Sequence, residues 1–403
     1  MTRQMNKYSK ITPEGTRDLL FEECDARRHV EHQLSAMFKA RAYKKVITPT
    51  LEFFDVFNRA SSGIEAESLY MLTDYTGRMM ALRPDSTLPI ARIAATRLRD
   101  ADYPLRLYYN QRVFQRCPSF SGHSDETTQS GIELIGASSI RADLEIITMA
   151  IDALNSCGAR DFRIEIGHAG FFKALSNALK TSTEIRDEMV DYIETKNFAA
   201  LNDLLDTLGE SDATRVLRSL PRLFGGGEVI EQAQSMCKAK DEILPLQYLA
   251  ELYKKLSQLG LGDKINIDLG LVHRNNYYTG VVFRGFIEGS GLTVLSGGRY
   301  DSLLGEFGKQ LPATGFGVAI DALANAMLNR GDIAPQEPAN VLVFGEDGYE
   351  VEAIVRIREL NAENLVCENC TQETLTAAKA YAAQNKIKRV DCVGSKGVVT
   401  FQI

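Results

Sequence analysis

Three short blocks of this sequence carry side chains suited to holding a free amino acid: residues 82–87, 277–280 and 295–304. An amino acid needs acceptors for its ammonium group, and nearby carboxylates form strong charge-assisted hydrogen bonds with it. Tyrosine hydroxyls and side-chain amides can form hydrogen bonds with the nitrogens of an imidazole ring and so favour one of its protonation states. The groups of this kind in and between the blocks are Asp85, Gln129, Glu133, Tyr277 and Tyr278.

Each block also has a purely structural interpretation. Asp85 and Ser86 are residues that often cap a helix N-terminus. Gly297 and Gly298 could form only a tight bend, and residues 277–278 could be ordinary strand packing. Taken singly, these structural interpretations are favoured. Taken jointly, three blocks that match one family in the same order favour a binding site.

The blocks stand in the order and at the separations found in histidyl-tRNA synthetase, and residues 11–330 resemble its catalytic domain. Residues 48–52 resemble the first class II motif, which implies a homodimer through the core. Residues 297–301 match the family's Gly-Gly-Arg-Tyr-Asp motif, and residues 82–87 match its Leu-Arg-Pro-Glu-Gly-Thr loop with Asp and Ser at the fourth and fifth places. The resemblance implies a histidine-binding site made of Asp85, Ser86, Thr87, Gln115, Gln129, Glu133, His273, Tyr277, Tyr278 and Tyr300.

Three positions where the synthetase carries arginine hold Gln115, His273 and Ala322 here. Adenylation needs positioned cations to neutralise the phosphates of ATP. Because removal of one preorganised charge costs about 100-fold or more in rate, the loss of three predicts a chain without adenylation activity. Arg116 lies one residue beyond the first of these positions, but alternate strand residues face opposite sides unless a bulge intervenes.

Histidine binding without adenylation resembles the non-catalytic paralogues that serve as regulatory subunits of short-form ATP phosphoribosyltransferase. The resemblance implies a cytoplasmic hetero-octamer of four plus four subunits in the first step of histidine biosynthesis. It also implies that this subunit supports the activity of the catalytic subunit and its allosteric feedback inhibition by histidine. Neither a cofactor nor a metal is expected. A divergent active histidyl-tRNA synthetase and a free-standing amino-acid sensor or scaffold remain alternatives.

The composition fits this interpretation. The formal net charge is −7, which disfavours a tRNA partner because phosphate binding usually requires a basic surface. Residues 339–403 hold seven Lys and Arg against nine Asp and Glu, which leaves −2. Seven cysteines without framework spacing, a polar N-terminus and the absence of a long apolar run predict a cytoplasmic protein without a membrane segment.

The elements that would position the site form an α+β fold like that of class II synthetases, with helices around an antiparallel sheet. Helical spacing of apolar residues predicts an opening helix. Apolar, β-branched and aromatic residues predict core strands at 105–114 and 131–135, and further strands are expected at 278–286 and 292–295. Residues 170–260 lack strand signals and predict a helical insertion. We expect a core domain over residues 1–332, a linker at 331–338 and a small C-terminal α/β domain over 339–403.

Overall fold

The computed structural model describes residues 8–59, 62–117, 124–272, 277–288, 291–334 and 337–403. The first seven residues and residues 273–276, which include His273, lie outside these ranges. The chain divides into two compact units, Met1–Ala334 and Pro335–Ile403. Across the described ranges, no helix combines the length and apolarity that crossing a membrane requires.

The strands of both units are numbered along the chain. They are β1 Lys44–Lys45, β2 Leu51–Phe53, β3 Met71–Thr73, β4 Met79–Leu82, β5 Leu105–Phe114, β6 Glu126–Ile135, β7 Phe162–His168, β8 Phe224–Gly225, β9 Ile265–Asp268, β10 Val281–Ile287, β11 Thr293–Arg299, β12 Ala313–Ala319, β13 Val341–Gly345, β14 Cys367–Asn369, β15 Arg389–Gly394 and β16 Gly397–Gln402.

The α-helices are numbered in the same way. They are α1 Glu22–Ala40, α2 Thr87–Ala95, α3 Ile140–Ser156, α4 Ala169–Ala178, α5 Thr183–Glu194, α6 Phe198–Leu208, α7 Asp212–Ser219, α8 Glu228–Met236, α9 Lys240–Gln258, α10 Ile320–Arg330, α11 Glu350–Ala362 and α12 Leu375–Gln384. Helix α1 shows why they form, because Ala26, Val30, Leu34 and Phe38 recur every four residues and all are buried.

A nine-stranded sheet organises the first unit, in the order β1-β5-β6-β12-β11-β10-β7-β9-β8. Its centre, from β5 to β7, is antiparallel, whereas β1 pairs with β5 and β7 with β9 in parallel. The register places Glu133 of β6 between Leu107 of β5 and Gly315 of β12. A separate three-stranded sheet, β2-β4-β3, is also antiparallel.

The two faces of the large sheet bury different sets of side chains, because successive residues of a strand point to opposite faces. Tyr108 and Ile132 belong to the larger hydrophobic core, which includes residues of α1, α3 and the insertion helices. Tyr109 belongs to a second core with residues of α2, and Tyr277 and Tyr300 lie in the same cluster. The second face therefore brings Tyr109, Tyr277 and Tyr300 together.

Helices α4 to α9 occupy the segment for which an insertion was predicted. Helices α4 and α9 pack together, and α9 also contacts α3 and β7. Leu249, Leu252 and Leu256 of α9 are buried in the larger core, which joins the insertion to the main sheet. The second unit contains a separate sheet of order β14-β13-β15-β16, with α11 and α12 packed against it.

The predicted α+β class is confirmed, but several element boundaries were wrong. Strand β6 begins at Glu126 rather than 131, and β10 begins at Val281 rather than 278. Strand β12 was not predicted, because its glycines weaken the strand pattern even though it lies at the centre of the sheet. The insertion also contains one short strand, β8, which pairs with β9.

Candidate functional site

A cavity of about 300 Å³ opens on the second face of the large sheet. Its walls come from the start of α2, the strands β5, β6, β11 and β12, and the residues flanking β10 and β11. Its volume is at the lower end of the range for ligand pockets, which suits a molecule of amino-acid size. Since the walls are distant in sequence, only the folded sheet assembles them.

Glu133 lies at the centre of this cavity and is almost fully buried. Thr87 Oγ1 donates a 2.8 Å hydrogen bond to its Oε1, and the Tyr300 hydroxyl donates to its Oε2. Burial raises the pKa of Glu133 to about 8, although the two hydroxyl donors oppose that rise and Asp85 adds to it. The site therefore holds a carboxyl group that ionises readily only when a cation joins it.

Asp85 provides a second carboxyl group at the edge of α2. Its Oδ1 accepts the backbone N–H of Leu88 at 3.2 Å, so it also caps the helix. Burial raises the pKa of Asp85 to about 6, and the backbone hydrogen bonds of Leu88 and Thr87 hold it lower than burial alone would. The structural and the binding interpretations of this residue are thus compatible, because one carboxylate has two oxygens.

Three tyrosine rings pack beside the two carboxyl groups. The ring centroids of Tyr277 and Tyr278 are 4.6 Å apart, and those of Tyr277 and Tyr300 are 5.8 Å apart in an edge-to-face contact. The side chains of Tyr277 and Tyr278 are also hydrogen-bonded to each other. Burial raises the pKa of all three phenols, so they remain neutral donors at physiological pH.

Glycine in strand β12 leaves room for the central carboxyl group. A Cβ at Gly315 would overlap Oε2 of Glu133. Gln129 lies four residues before Glu133 on β6 and therefore on the same face of the sheet. Its buried Oε1 atom has no hydrogen-bond partner among the described residues. An unpaired buried acceptor is costly, so this atom is ready to receive a donor from a ligand.

The structure brings most of the predicted site residues to one cavity. Those that line it are Asp85, Thr87, Gln115, Gln129, Glu133, Tyr277, Tyr278 and Tyr300. Ser86 is fully buried and is not among the lining residues, because Asp85 takes the capping role and the Ser86 hydroxyl is enclosed. His273 falls outside the described residues.

The described lining contains no lysine, arginine or histidine. Gln115, which the sequence resemblance aligns with an arginine of the synthetase family, is one of the lining residues. The neighbouring Arg116 donates instead from Nη1 to the carbonyl of Glu67 at 3.2 Å, and it is not part of the lining. Ala322 packs against the hydrophobic core. The cavity walls that are described therefore offer two acids and no cation for a phosphate.

Sequence reasoning missed several wall residues. Tyr109 is the most important of them, since it is almost fully buried and pairs with Gly131 in the register between β5 and β6. It stands two residues from Gln111, and Gln111 pairs with Gln129, so the period-two alternation of β5 could have identified it. The other missed residues are Pro84, Val113, Thr127, Thr128, Thr293, Leu295, Ser296, Gly297, Gly315, Phe316, Gly317 and Ala319.

Comparison with known proteins places this chain among proteins related to histidyl-tRNA synthetase. The model for the family "Histidyl-tRNA synthetase" matches residues 15–323. A protein of Clostridium kluyveri named ATP phosphoribosyltransferase regulatory subunit is 41% identical over 387 residues, which is 95% of this chain and 99% of the relative. A protein of the same name from Clostridium acetobutylicum is 39% identical over 392 residues, with 96% of each chain covered.

Solved structures agree with these relatives. The crystal structure of an ATP phosphoribosyltransferase regulatory subunit/histidyl-tRNA synthetase from Bacillus halodurans superposes with a TM-score of 0.82 at 31% identity, covering 96% of this chain and 98% of that one. Histidyl-tRNA synthetase from Nostoc superposes with a TM-score of 0.79 at 20% identity, covering 98% of this chain and 97% of that one, a likeness that concerns the fold alone.

Proposed function

This chain belongs to the family of ATP phosphoribosyltransferase regulatory subunits, and from that premise we propose that it binds histidine and transmits feedback inhibition to a short catalytic subunit. It is a regulatory, non-catalytic subunit of histidine biosynthesis. The catalytic partner joins ATP to phosphoribosyl pyrophosphate, which yields phosphoribosyl-ATP and pyrophosphate. The assembly is a hetero-octamer of four regulatory and four catalytic subunits.

The observation that carries the histidine assignment is the pairing of two buried carboxyl groups with tyrosines in a small cavity. Asp85 and Glu133 both have pKa values raised by burial, so each gains stability when an ammonium or imidazolium group enters. The tyrosine hydroxyls and Gln129 Oε1 supply further partners for ring nitrogens. A cationic amino acid with a polar ring satisfies this set of groups.

The same cavity argues against adenylation and against tRNA binding. With Gln115 in the lining and Ala322 in the core, two arginine positions of the synthetase chemistry hold neutral side chains. A triphosphate near Asp85 and Glu133 would meet no cation among the described cavity walls to neutralise it. The charge of −2 over residues 339–403 gives the C-terminal unit no excess of cations for an RNA backbone.

A homodimer would place two such subunits together. The sheet β2-β4-β3 presents Leu51, Phe53, Met71, Leu72 and Met79, each 43 to 48% exposed. Leu51 lies within residues 48–52, the segment that resembles the class II dimer motif. The register puts Leu51, Phe53 and Leu72 on one face of this sheet, and neighbouring exposed apolar side chains of this kind mark interaction surfaces. A symmetric dimer through this sheet then leaves a separate surface of each subunit for the catalytic partner.

Co-expression with a short ATP phosphoribosyltransferase catalytic subunit tests the proposal. Formation of phosphoribosyl-ATP should require this chain for full activity and should fall when histidine is added. A complex that forms but ignores histidine would reject the feedback role. A chain that forms no complex and charges tRNA would favour the divergent synthetase, and one that binds histidine but no catalytic subunit would favour a free-standing sensor.

A further inference from the structure

Arg299 and Tyr300 are neighbours in sequence but serve opposite faces of the sheet. Tyr300 reaches Glu133 in the cavity, whereas Arg299 turns to α3 on the other face. The Arg299 guanidinium donates from Nη2 to Asp143 Oδ1 at 2.8 Å and from Nε to Asp143 Oδ2 at 3.0 Å. Its Nη1 donates to the carbonyl of Ala137 at 3.1 Å. This geometry fixes the backbone directly beside the cavity tyrosine.

The same Asp143 carboxylate is also held by the helical insertion. The hydroxyl of Tyr248, on α9, donates to Asp143 Oδ2 at 2.5 Å. Asp143 and Arg299 are almost fully buried, so their ion pair is little screened by solvent. A hydroxyl donated to a buried carboxylate is a strong, directional contact. Displacement of Arg299 would therefore move Asp143 and disturb its hydrogen bond with Tyr248 of α9.

A second contact joins the insertion to Gly280, which lies between the tyrosine pair and β10. The backbone N–H of Ala169, the first residue of α4, donates to the carbonyl of Gly280 at 2.9 Å. Gly280 follows Tyr278 by two residues and lies against Arg299, where an added Cβ would come within 2.8 Å of Arg299 Cδ. Helices α4 and α9 pack together, so both contacts act on one helical pair.

We propose that the buried triad Arg299, Asp143 and Tyr248 couples the occupancy of the cavity to the stability of the helical insertion. The inference rests on the proposed binding of histidine. A ligand that engages Glu133 and the tyrosines immobilises the Tyr300 backbone and hence Arg299. Arg299 then holds Asp143 in the position that accepts Tyr248. Allosteric coupling of this kind requires that the ligand favour one of two states of the linked element.

Tyr248→Phe tests the coupling, since it removes one hydroxyl and keeps the ring in place. Amide hydrogen exchange is measured on the full chain with and without saturating histidine. In the parent, histidine should slow exchange in α4 and α9 by about fivefold or more, the lower end of typical allosteric couplings. In Tyr248→Phe that slowing should be lost while histidine still binds by isothermal titration calorimetry. Tyr253→Phe, on the same helix and packed on the core, is the matched control and should behave as the parent.

The outcomes separate the inference from the proposed function. Absence of histidine binding in the parent overturns both. Binding without any histidine-dependent change in the exchange of α4 and α9 overturns the coupling alone. Equal slowing in the parent and in Tyr248→Phe also overturns it, because the hydroxyl would then carry no signal. A loss shared by Tyr253→Phe would show a general softening of α9 and would reject the triad as the route.

Discussion

The hydroxyl of Thr87 donates to Glu133 Oε1 at 2.8 Å, so the first residue of α2 meets the middle of β6 at a buried carboxyl group. The hydroxyl of Tyr300 approaches the other oxygen from the end of β11. Three segments far apart in sequence thus converge on one side chain. Such preorganisation lowers the conformational entropy that binding must overcome.

Replacement of Glu133 by alanine should weaken histidine binding. The ligand cation would lose its buried carboxylate partner, and leaving a buried polar group unpaired costs roughly 1–3 kcal/mol. Isothermal titration calorimetry should show affinity reduced by about tenfold or more, and feedback inhibition of the complex should shift to higher histidine concentrations. Glu251→Ala, on the exposed face of α9, is the control. Equal affinity in Glu133→Ala and the control would remove Glu133 from the site.

The stability of the ligand-free protein should fall as pH rises through the neutral range. Burial raises the pKa of Glu133 from its ordinary value of 4.5 to about 8. Below about pH 4.5 the group is protonated in both the folded and the unfolded chain, and its contribution to folding is complete. Between about pH 4.5 and about pH 8 the unfolded chain loses the proton first, so up to roughly 1.4 kcal/mol per pH unit is lost.

Glu133→Gln isolates this effect, because it keeps the shape and removes the titration. Thermal unfolding of parent and variant is measured over the same pH series without histidine. The unfolding temperature of the parent should fall relative to the variant as pH rises through this window. A difference that stays constant, or grows in favour of the parent, would show that the carboxyl group is already ionised in the folded site.

The purified chain should catalyse no histidine-dependent exchange of pyrophosphate into ATP. Gln115 and the acidic lining leave the phosphates without a described cation. Gln115→Arg alone should remain inactive, since Ala322 still lies where the synthetase family has a second arginine. An active histidyl-tRNA synthetase assayed in parallel validates the measurement. Clear exchange by the parent chain would revive the synthetase interpretation.

The chain alone should be a homodimer that a charge on the small sheet weakens. Leu51→Glu would place a carboxylate beside the exposed apolar side chains of Phe53 and Leu72, which share its face of the small sheet. Burying that charge without a partner should weaken dimerisation by about tenfold or more, or about 1.4 kcal/mol. Light scattering over a dilution series measures this. Leu259→Glu, on an exposed residue at the end of the insertion, should leave the dimer intact.

The sequence by itself determined the family, the fold class and eight of the 21 residues that line the cavity. Short motifs carry this information because their residue types and separations can be recognised without knowledge of the contacts. The presence of Gln115 and Ala322 at arginine positions could likewise be seen in the sequence. Adenylation needs those guanidinium groups, so their replacement predicts its loss without knowledge of the structure. Alternation within β5 and β6 even contained the signal for Tyr109.

Only the tertiary structure decided how those residues act together. Strand β12 gave no strand pattern, because Gly315 makes room for Glu133 and Gly317 for Gln129, both on the neighbouring strand. The raised pKa of Glu133 arises from burial by segments hundreds of residues apart, and Arg116 is directed away from the cavity by its contact with Glu67. The link from Tyr248 through Asp143 to Arg299 joins helices α9 and α3 to strand β11. Long-range packing creates such contacts, and no local propensity encodes them.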